Sequence, residues 1–278
     1  MCLIVFDWRP DADDGTALFT LAANRDEFFR RTADPMQWWA DAPAVLAGRD
    51  RVGGGTWLGM TRDGRFAALT NYRAPHEMRA DAPTRGALVS NYLTGAARTP
   101  LDYLNDVART GDLYNGFNLL VGDWTRRELA WYCNRGNPRD LEPALLPPGT
   151  HGISNAVLDT PWPKLVRKRA ELDALLVSEP AAPLDRLIEL MRDPRVARDD
   201  TLPATGLPLE RERALSAAFI ETPEYGTRGT TALRVAVRSD EPAARISVTV
   251  AERSDDDGSH RVVRPGHFER RFAFDVER

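Results

Sequence analysis

The sequence predicts a layered α+β protein built on antiparallel sheets. Short apolar segments with strand-like character stand near both ends of the chain, helical periodicity occupies the middle, and hairpin turn signals separate neighbouring segments. Antiparallel neighbours need only short connections, whereas parallel neighbours need long crossovers, so this order favours antiparallel pairing. No linker or internal repeat divides the chain, and we therefore expect one domain spanning residues 1–278.

The first 27 residues predict a pair of neighbouring strands. Residues 2–6 form a short apolar run that is typical of a buried strand, and residues 16–23 are expected to return beside it. The second segment ends in four consecutive polar residues, Asn24, Arg25, Asp26 and Glu27. We therefore expect a polar cluster at a strand end, close to the start of the first strand.

Cys2 has a chemical use in this position if Met1 is removed, which its small side chain should permit. It would then carry both a thiol and a free α-amine, and an α-amine with a pKa of about 7.7–8 is a usable base near neutral pH. Arg25 and Asp26 are charged and suitably placed to orient that amine. The alternative is that Cys2 is a small apolar residue that fills a strand.

The following 50 residues predict a wrapping segment and a hairpin. Residues 28–41 are rich in aromatics and broken by Pro35, which predicts loop and short helix. Residues 53–59 are rich in glycine but lack the Gly-Lys-Ser/Thr ending of a phosphate-binding loop, so we expect a tight turn that feeds a strand over 56–61. An Asp-Gly turn at 63–64 and a strand over 66–70 follow. A second polar cluster then comprises Asn71, Tyr72 and Arg73.

The middle of the chain predicts helices. One is expected over 84–93, and a second begins at Thr99 and Pro100, which supply an N-cap and a first-turn proline, and ends near Gly111. Thr160 and Pro161 predict the start of a third helix, with an apolar face opposed by Lys164, Arg167, Lys168 and Arg169, which we interpret as a solvated face. Further helices are predicted over 184–191 and 209–220. Further strands are predicted over 119–121, 129–133, 230–237, 245–251, 260–264 and 268–274.

Composition excludes several classes of partner. The net charge of −4 and the pI of about 5.7 give no general attraction to nucleic acid or acidic membranes. No apolar segment approaches the roughly 20 residues that span a bilayer, so we expect no stable membrane insertion. Two cysteines cannot build a disulfide framework, which favours a reducing compartment. We expect a cytoplasmic protein whose partner is a small-molecule substrate or ligand; its oligomeric state stays open.

Several motifs together resemble the NRDE family, that of the transport and Golgi organisation protein and its bacterial relatives. They occur in the same order over almost the whole chain, to about residue 237. The motifs are Met1-Cys2, the tetrad 24–27, the segments 54–59, 70–73 and 152–164, and the segment 225–228.

This resemblance implies the fold of N-terminal nucleophile (Ntn) hydrolases, a four-layer αββα sandwich with two antiparallel sheets. Acylases of the cholylglycine hydrolase and penicillin V acylase type also begin with Met-Cys. On that model Cys2 is the nucleophile of a hydrolase or acyltransferase acting on an amide or thioester, and Arg25 and Asp26 position its amine and thiol. The resemblance further assigns Asn71 and Asn155 to the oxyanion hole and amine contacts, and Arg228 to stabilising the charged site.

One departure from the acylases concerns the spacing of the charged pair. In the acylases the arginine precedes the aspartate by about three residues, whereas Arg25 directly abuts Asp26. Adjacent side chains on a strand point to opposite faces, so Arg25 and Asp26 are not both expected to reach Cys2.

The family also implies a competing function, the binding and trafficking of haem or of a lipid or acyl-coenzyme A. No cofactor is required in either case, and haem would be a bound ligand held by a histidine or cysteine, with basic residues such as those of 164–169 pairing its propionates. The candidates are Cys133, His76, His260, His267 and, as the strongest, His151, which precedes the 152–155 motif. None has metal-ligand spacing, so no resident metal is predicted. The ligand site is expected to include Asn24, Glu27, Tyr72, Arg73 and His151.

Overall fold

A computed structural model describes residues 2–137, 141–238, 245–254 and 268–277. The strand predicted over 260–264 and the two haem-ligand candidates His260 and His267 lie outside the described residues.

The first of two antiparallel sheets contains both ends of the described chain. Its order is β10-β1-β2-β11-β12-β13. Within β1, Leu3 and Val5 face one side and Ile4 and Phe6 face the other, as the two-residue period of a strand requires. The strands are β1 (Cys2–Trp8), β2 (Ala17–Phe28), β10 (Gly149–Ile153), β11 (Tyr225–Arg238), β12 (Arg245–Ser254) and β13 (Phe268–Asp275).

The second sheet is a meander in which each strand pairs with the next one along the chain. The Asp63-Gly64 turn joins two of its strands as predicted, with Gly64 at a φ of 92°. The strands are β3 (Ala33–Trp38), β4 (Val45–Asp50), β5 (Leu58–Thr61), β6 (Arg65–Asn71), β7 (Phe117–Asp123), β8 (Glu128–Cys133) and β9 (Ala144–Leu145).

Helices cover the outer face of each sheet. The helices α1 (Gly86–Thr94) and α2 (Pro100–Ala108) bury apolar side chains against the second sheet. The helices α3 (Pro163–Ser178) and α4 (Leu184–Met191) do the same against the first sheet, and α5 (Leu209–Leu215) follows them. A core that draws on both sheets fills the space between them. This is the expected four-layer αββα arrangement.

Two predictions about strands were wrong or incomplete. Residues 28–41 contain strand β3 rather than a loop and short helix, and its Pro35 is tolerated because β3 is an edge strand with a register shift between Asp34 and Gln37. Strands β4 and β10 were not predicted, since neither shows a clear alternation of apolar and polar residues. Propensity alone therefore missed strands that tertiary pairing stabilises.

The helix boundaries also needed correction. Helix α2 has the predicted cap, with the Thr99 hydroxyl accepting from the Asp102 amide at 3.1 Å. Helix α3, however, begins at Pro163 with Trp162 as its N-cap residue, because the Thr160 hydroxyl donates to Val157 in the preceding turn instead. Helix α5 ends at Leu215, short of the predicted residue 220.

The face of α3 that was interpreted as solvated is partly buried. Lys164 and Lys168 are each 1 % exposed, whereas the apolar Val166 on the same helix is 51 % exposed. The Lys168 ammonium lies 2.8 Å from the Asp193 carboxylate and 2.6 Å from that of Glu171, which compensates its burial. In the part of the chain that the structure describes, no helix combines the length and apolar character that crossing a bilayer requires.

Candidate functional site

The candidate site lies where β1 begins, beside the middle strands of the first sheet. Cys2 is opposite Arg25 on β2, and Arg25 is opposite Gly229 on β11. Strand β2 continues to Phe28, so the polar tetrad 24–27 lies within the strand. The prediction that these residues lie at the strand end was therefore wrong. Its four side chains therefore alternate between the two faces of the sheet.

Cys2 opens into a cavity of about 610 Å³ between the first sheet and the segment that leads into α1. The lining is largely polar and contains both charges. It includes five of the predicted site residues, namely Cys2, Arg25, Asp26, Glu27 and Asn71. It also includes three arginines that were not predicted, Arg31, Arg79 and Arg85. The structure thus brings about half of the predicted residues together.

Arg25 shares the intersheet side with Cys2. Its guanidinium carbon lies 4.2 Å from the centroid of the Trp57 ring, and the side chain is 8 % exposed. Burial lowers the pKa of Arg25, and the neighbouring Arg228 adds to this effect. The stacking on Trp57 fixes the guanidinium next to the thiol.

Asn24 lies on the opposite side, against the helices. Its amide nitrogen donates to the carbonyls of Met191 at 2.9 Å and Ala218 at 2.7 Å, and its oxygen accepts from the Thr230 hydroxyl at 2.7 Å. These bonds connect the sheet to the chain around α4 and α5. Asn24 does not line the cavity, although it was predicted to bind ligand.

Asp26 is 1 % exposed and reaches the site from beneath the sheet. Its carboxylate accepts from the Thr227 hydroxyl at 2.6 Å, and its backbone carbonyl accepts from the Tyr225 hydroxyl at 2.9 Å. Burial raises the pKa of Asp26, while the Lys164 ammonium and the Thr227 hydrogen bond lower it. Although they lie on opposite faces of the strand, Arg25 and Asp26 both line the cavity with Cys2.

The Cys2 thiol itself is half-buried. Burial raises the pKa of Cys2, and the Asp26 carboxylate raises it further, whereas the Asp26 backbone amide and the Arg25 guanidinium oppose the increase. A thiol with a raised pKa is protonated at neutral pH, so its use as a nucleophile requires a base that removes the proton.

Lys164 is a further candidate, and it is buried, whereas its residue pattern predicts a solvated face. Its ammonium donates to the Leu215 carbonyl at 2.9 Å, and burial lowers the pKa of Lys164 to about 8, with the Asp26 carboxylate opposing that change. One signal was present in the sequence, since only two of the 37 basic residues are lysine. Lysine, unlike arginine, can lose its charge when buried.

The two asparagines assigned to the oxyanion hole are in different environments. Asn71 ends β6 and lines the cavity. Asn155 is fully buried, its side-chain amide donates to the Asn71 carbonyl at 2.9 Å, and its own carbonyl accepts from the Arg73 amide at 2.7 Å. Asn155 therefore fixes the chain that follows Asn71, and among the two only Asn71 reaches the cavity.

Two further predicted ligand-binding residues lie outside the cavity lining. Arg73 forms a buried ion pair with Glu212 on α5, and its guanidinium carbon lies 4.6 Å from the centroid of the Trp162 ring. Tyr72 follows the strand end, where its amide donates to the Gly116 carbonyl at 2.9 Å, and its ring packs against the intersheet core.

Arg228 also lies outside the main cavity. It occupies the register shift between Thr227 and Gly229, and its guanidinium donates to the backbone carbonyls of Arg31 and Phe28. A separate cavity of about 20 Å³ lies beside it, lined also by Arg25 and Trp57. Arg228 thus holds the segment between β2 and β3 and acts on the site through its charge near Arg25.

His151 lies away from Cys2. It is opposite Phe6 on β1, four residues or about 13 Å from Cys2 along the strand. Its Nδ1 lies 2.8 Å from the Asp159 carboxylate and its Nε2 lies 3.0 Å from the Pro147 carbonyl. The hydrogen bond with Asp159 raises the pKa of His151. Both ring nitrogens are therefore engaged within the fold.

The cavity offers few ligands for a metal or for haem iron. Within residues 2–137, 141–238, 245–254 and 268–277, no group of three or more His, Cys, Asp and Glu side chains could hold a metal ion. The described lining contains two sulfur ligands, Cys2 and Met78, and neither His76 nor His151 belongs to it. Haem bound here would therefore use sulfur rather than imidazole.

Comparison with known proteins finds a family model and relatives that carry the same family name. The family model described as Transport and Golgi organisation 2 matches residues 1–253. A Transport and Golgi organization protein 2 homolog of Homo sapiens is 38% identical over 280 residues, covering 94% of this chain and 96% of the relative. The Bos taurus homolog is 39% identical over 248 residues, covering 84% and 88%.

More distant comparisons also return matches. The Transport and Golgi organization protein 2 of Drosophila melanogaster is 27% identical over 246 residues, covering 82% of this chain and 85% of the relative. Among solved structures, the C2A mutant of conjugated bile acid hydrolase from Clostridium perfringens matches with a TM-score of 0.43 and 8% identity, covering 88% of this chain and 92% of that chain. That similarity is too low to support a conclusion about chemistry. The family match and the mammalian relatives establish that the chain belongs to the Transport and Golgi organisation 2 family.

Proposed function

We propose that the protein is a hydrolase or acyltransferase that cleaves an amide or thioester with Cys2, after removal of Met1. The observation that carries this proposal is the position of the thiol, which opens into a polar cavity beside Arg25 and Asn71 and above the buried Asp26. A half-buried cysteine that only filled a strand would not need charged neighbours on both faces of the sheet.

The first step follows from the raised pKa of the Cys2 thiol. The free α-amine of the processed chain takes the thiol proton, and the sulfur attacks the substrate carbonyl carbon. Asp26 lies beneath this point and favours the resulting ammonium ion by charge. Arg25 opposes the raised pKa of the thiol and so favours the thiolate.

The remaining steps regenerate the enzyme. The tetrahedral oxyanion is stabilised by the Asn71 side-chain amide, and the departing amine or thiolate takes the proton from the α-ammonium as the bond to the carbonyl carbon breaks. The acyl group then forms a thioester with Cys2. Water or another acceptor, deprotonated by the same α-amine, attacks this thioester and releases the thiol. Because the chemistry needs a reduced cysteine, the proposal places the protein in the cytoplasm or another reducing compartment.

The experiment uses S-phenyl thioacetate and follows the release of thiophenol. We expect release by the processed chain and its loss in Cys2→Ala, since the alanine lacks the attacking sulfur. Cys133→Ala is the matched control, because Cys133 is fully buried in the intersheet core and lies outside the cavity. Equal release from the wild type and Cys2→Ala would refute the proposal.

The alternative from the family, a carrier of haem or lipid, would use the same cavity. Its lining combines apolar side chains such as Trp57, Leu69 and Met78 with several charged ones, and the charged ones make it a poor match for a wholly apolar ligand. Absence of thioester cleavage, together with a Soret band that Cys2→Ala or Met78→Leu shifts, would favour the haem carrier instead.

A further inference from the structure

In the part of the chain that the structure describes, three of the four arginines that line the cavity beside Cys2 have no carboxylate partner. Arg79 is exposed and donates to the backbone carbonyls of Asp112 and Leu113, which leaves Arg25 and Arg85 as the more buried pair. Among the described residues, neither the Arg25 nor the Arg85 guanidinium lies within 4.0 Å of a carboxylate oxygen; Arg85 donates one bond, to the Gly116 carbonyl at 2.9 Å. Arg25 is 8 % exposed and lines the cavity; its guanidinium stacks on Trp57, and within the described ranges its side chain forms no hydrogen bond. A buried cation without an ion-pair partner is costly, and an anionic ligand in the cavity would lower that cost.

The acidic side chains of the cavity are engaged elsewhere. Asp50 accepts from the Arg31 guanidinium at 2.6 Å, and one Glu27 oxygen accepts from the Phe28 amide at 2.8 Å while the other lies 4.0 Å from Arg31. Asp26 reaches the site from the other face of the sheet. These acids reduce the positive potential of the cavity, but none forms an ion pair with Arg25 or Arg85.

The start of α1 adds to the positive potential at the same place. Arg85 is the N-cap residue of this nine-residue helix, no side chain caps its first turn, and Arg85 and Gly86 both line the cavity. The N-terminal end of a helix carries a partial positive charge that favours an anion. Burial lowers the pKa of Arg25 and of Arg85, and the charge of the nearby Glu27 carboxylate, which acts in the opposite direction on both, does not offset this effect.

We infer that Arg25, Arg85 and the start of α1 form an anion subsite, and that the substrate presents a carboxylate or phosphate group there while its amide or thioester carbonyl meets Cys2. The inference rests on the proposed function for its statement about the substrate. The subsite itself does not require turnover and is tested without it.

The first test compares alkylation of Cys2 by iodoacetate and by iodoacetamide, which share an electrophile and differ in charge. The measured quantity is the rate of Cys2 alkylation by iodoacetate divided by that by iodoacetamide, with the adduct mapped by peptide mass. We expect this ratio to be about tenfold higher in the wild type than in Arg85→Gln, which corresponds to about 1.4 kcal/mol for one nearby charge. Added salt should lower the ratio, because it screens that charge. Arg85→Lys should retain much of the preference. Arg126→Gln, an exposed residue next to Asp123 at the far end of β7, is the control with the same change of net charge.

A second measurement keeps the test decisive if Cys2 reacts with neither reagent. Thermal unfolding is compared in sodium phosphate, sodium acetate and sodium chloride at equal ionic strength. A rise in Tm that Arg85→Gln loses would support the subsite even if the nucleophile proposal fails, and the more effective anion would separate phosphate from carboxylate. An iodoacetate preference no greater than that of glutathione, with the same Tm in all three salts, would overturn the inference.

Discussion

Lysine occupies only two positions in a chain that otherwise uses arginine, and both positions are buried beneath the first sheet. The Lys168 ammonium forms ion pairs with Asp193 and Glu171, which compensate its burial. The Lys164 ammonium donates to one backbone carbonyl and interacts electrostatically with the Asp26 carboxylate. An arginine at position 164 would stay charged at any accessible pH and would present a larger, planar group. The residue type at position 164 therefore sets both the charge and the volume beneath the candidate nucleophile.

The stability of the fold should depend on pH through Lys164. Its pKa is about 8 in the folded protein against 10.5 for an ordinary lysine. Between these values the unfolded chain binds more protons, so stability rises with pH by up to about 3 kcal/mol from this group and is lost as pH falls toward 8.

The measurement is urea unfolding from pH 7 to 11 in the wild type and in Lys164→Met. We expect the difference in unfolding free energy between the two proteins to change across pH 8–10.5 in favour of the wild type. Arg169→Met, on the same helix but more exposed, should leave the shape of the curve unchanged, because arginine keeps its charge over this range. Parallel curves for the wild type and Lys164→Met would show that Lys164 titrates normally.

At the scale of elements, the site depends on how closely α1 approaches the glycine turn before β5. A Cβ atom at Gly55 would lie 2.3 Å from the backbone carbon of Gly86 and 2.7 Å from the Ala87 nitrogen. Only glycine permits this contact, which places the start of α1 against the turn and beside the cavity. The glycine-rich motif that resembled a phosphate loop thus has a structural reason.

Gly55→Ala should therefore displace α1. We expect a loss of about 1–3 kcal/mol in unfolding free energy, the range observed for overpacking, and a weaker preference of Cys2 for iodoacetate because Arg85 moves with the helix. Gly229→Ala is the control for stability, since a Cβ atom there would meet its nearest neighbour at 3.6 Å, an ordinary contact. A Gly55→Ala protein as stable as Gly229→Ala would contradict the account of the turn.

Much of this element order could be predicted from the sequence, and the failures have physical causes. Helix α4 has the predicted bounds because its apolar residues keep a clear helical period and the flanking Pro183 precedes its start. The end of β2 was misplaced because polar residues 24–27 suggested a strand end, whereas pairing with β11 extends the strand to Phe28. That error changed the expected site, since residues within a strand alternate between faces and residues in a loop need not.

The same limit applies to the site residues. Motifs near strand ends predicted that Cys2, Arg25 and Asn71 belong to one site, and all three line the same cavity. The burial of Asn155, the ion pair of Arg73 with Glu212 and the contribution of Arg85 depend on contacts between distant parts of the chain, which no local pattern records. Roles carried over from the resemblance stay predictions for the residues concerned.

At the scale of the molecule, an aromatic cluster joins the two sheets. Phe19 of the first sheet lies with its ring centroid 5.4 Å from that of Phe66 in the second sheet and 4.8 Å from that of Trp124. Aromatic pairs at such distances contribute beyond the area that they bury. The cluster gives a physical reason to expect the two sheets to unfold together, as the prediction of one domain requires.

Phe66→Ala should destabilise both sheets at once. The phenyl ring is fully buried, so we expect a loss of about 3–5 kcal/mol in unfolding free energy from the lost transfer energy and the remaining cavity. Urea unfolding followed by tryptophan fluorescence and by far-ultraviolet circular dichroism should give coincident transitions in both proteins. Two separated transitions would indicate that the layers fold as independent units and would contradict the single-domain prediction.

The central claim is that Cys2 acts as an activated N-terminal nucleophile. Its most direct test is the intact mass of the protein purified from its native host, before and after treatment with a thiol-directed acylating probe. We predict that Met1 is absent and that one adduct forms and maps to Cys2. Retained Met1, or a Cys2 that stays unmodified by the probe, would contradict the claim and bring the carrier function forward.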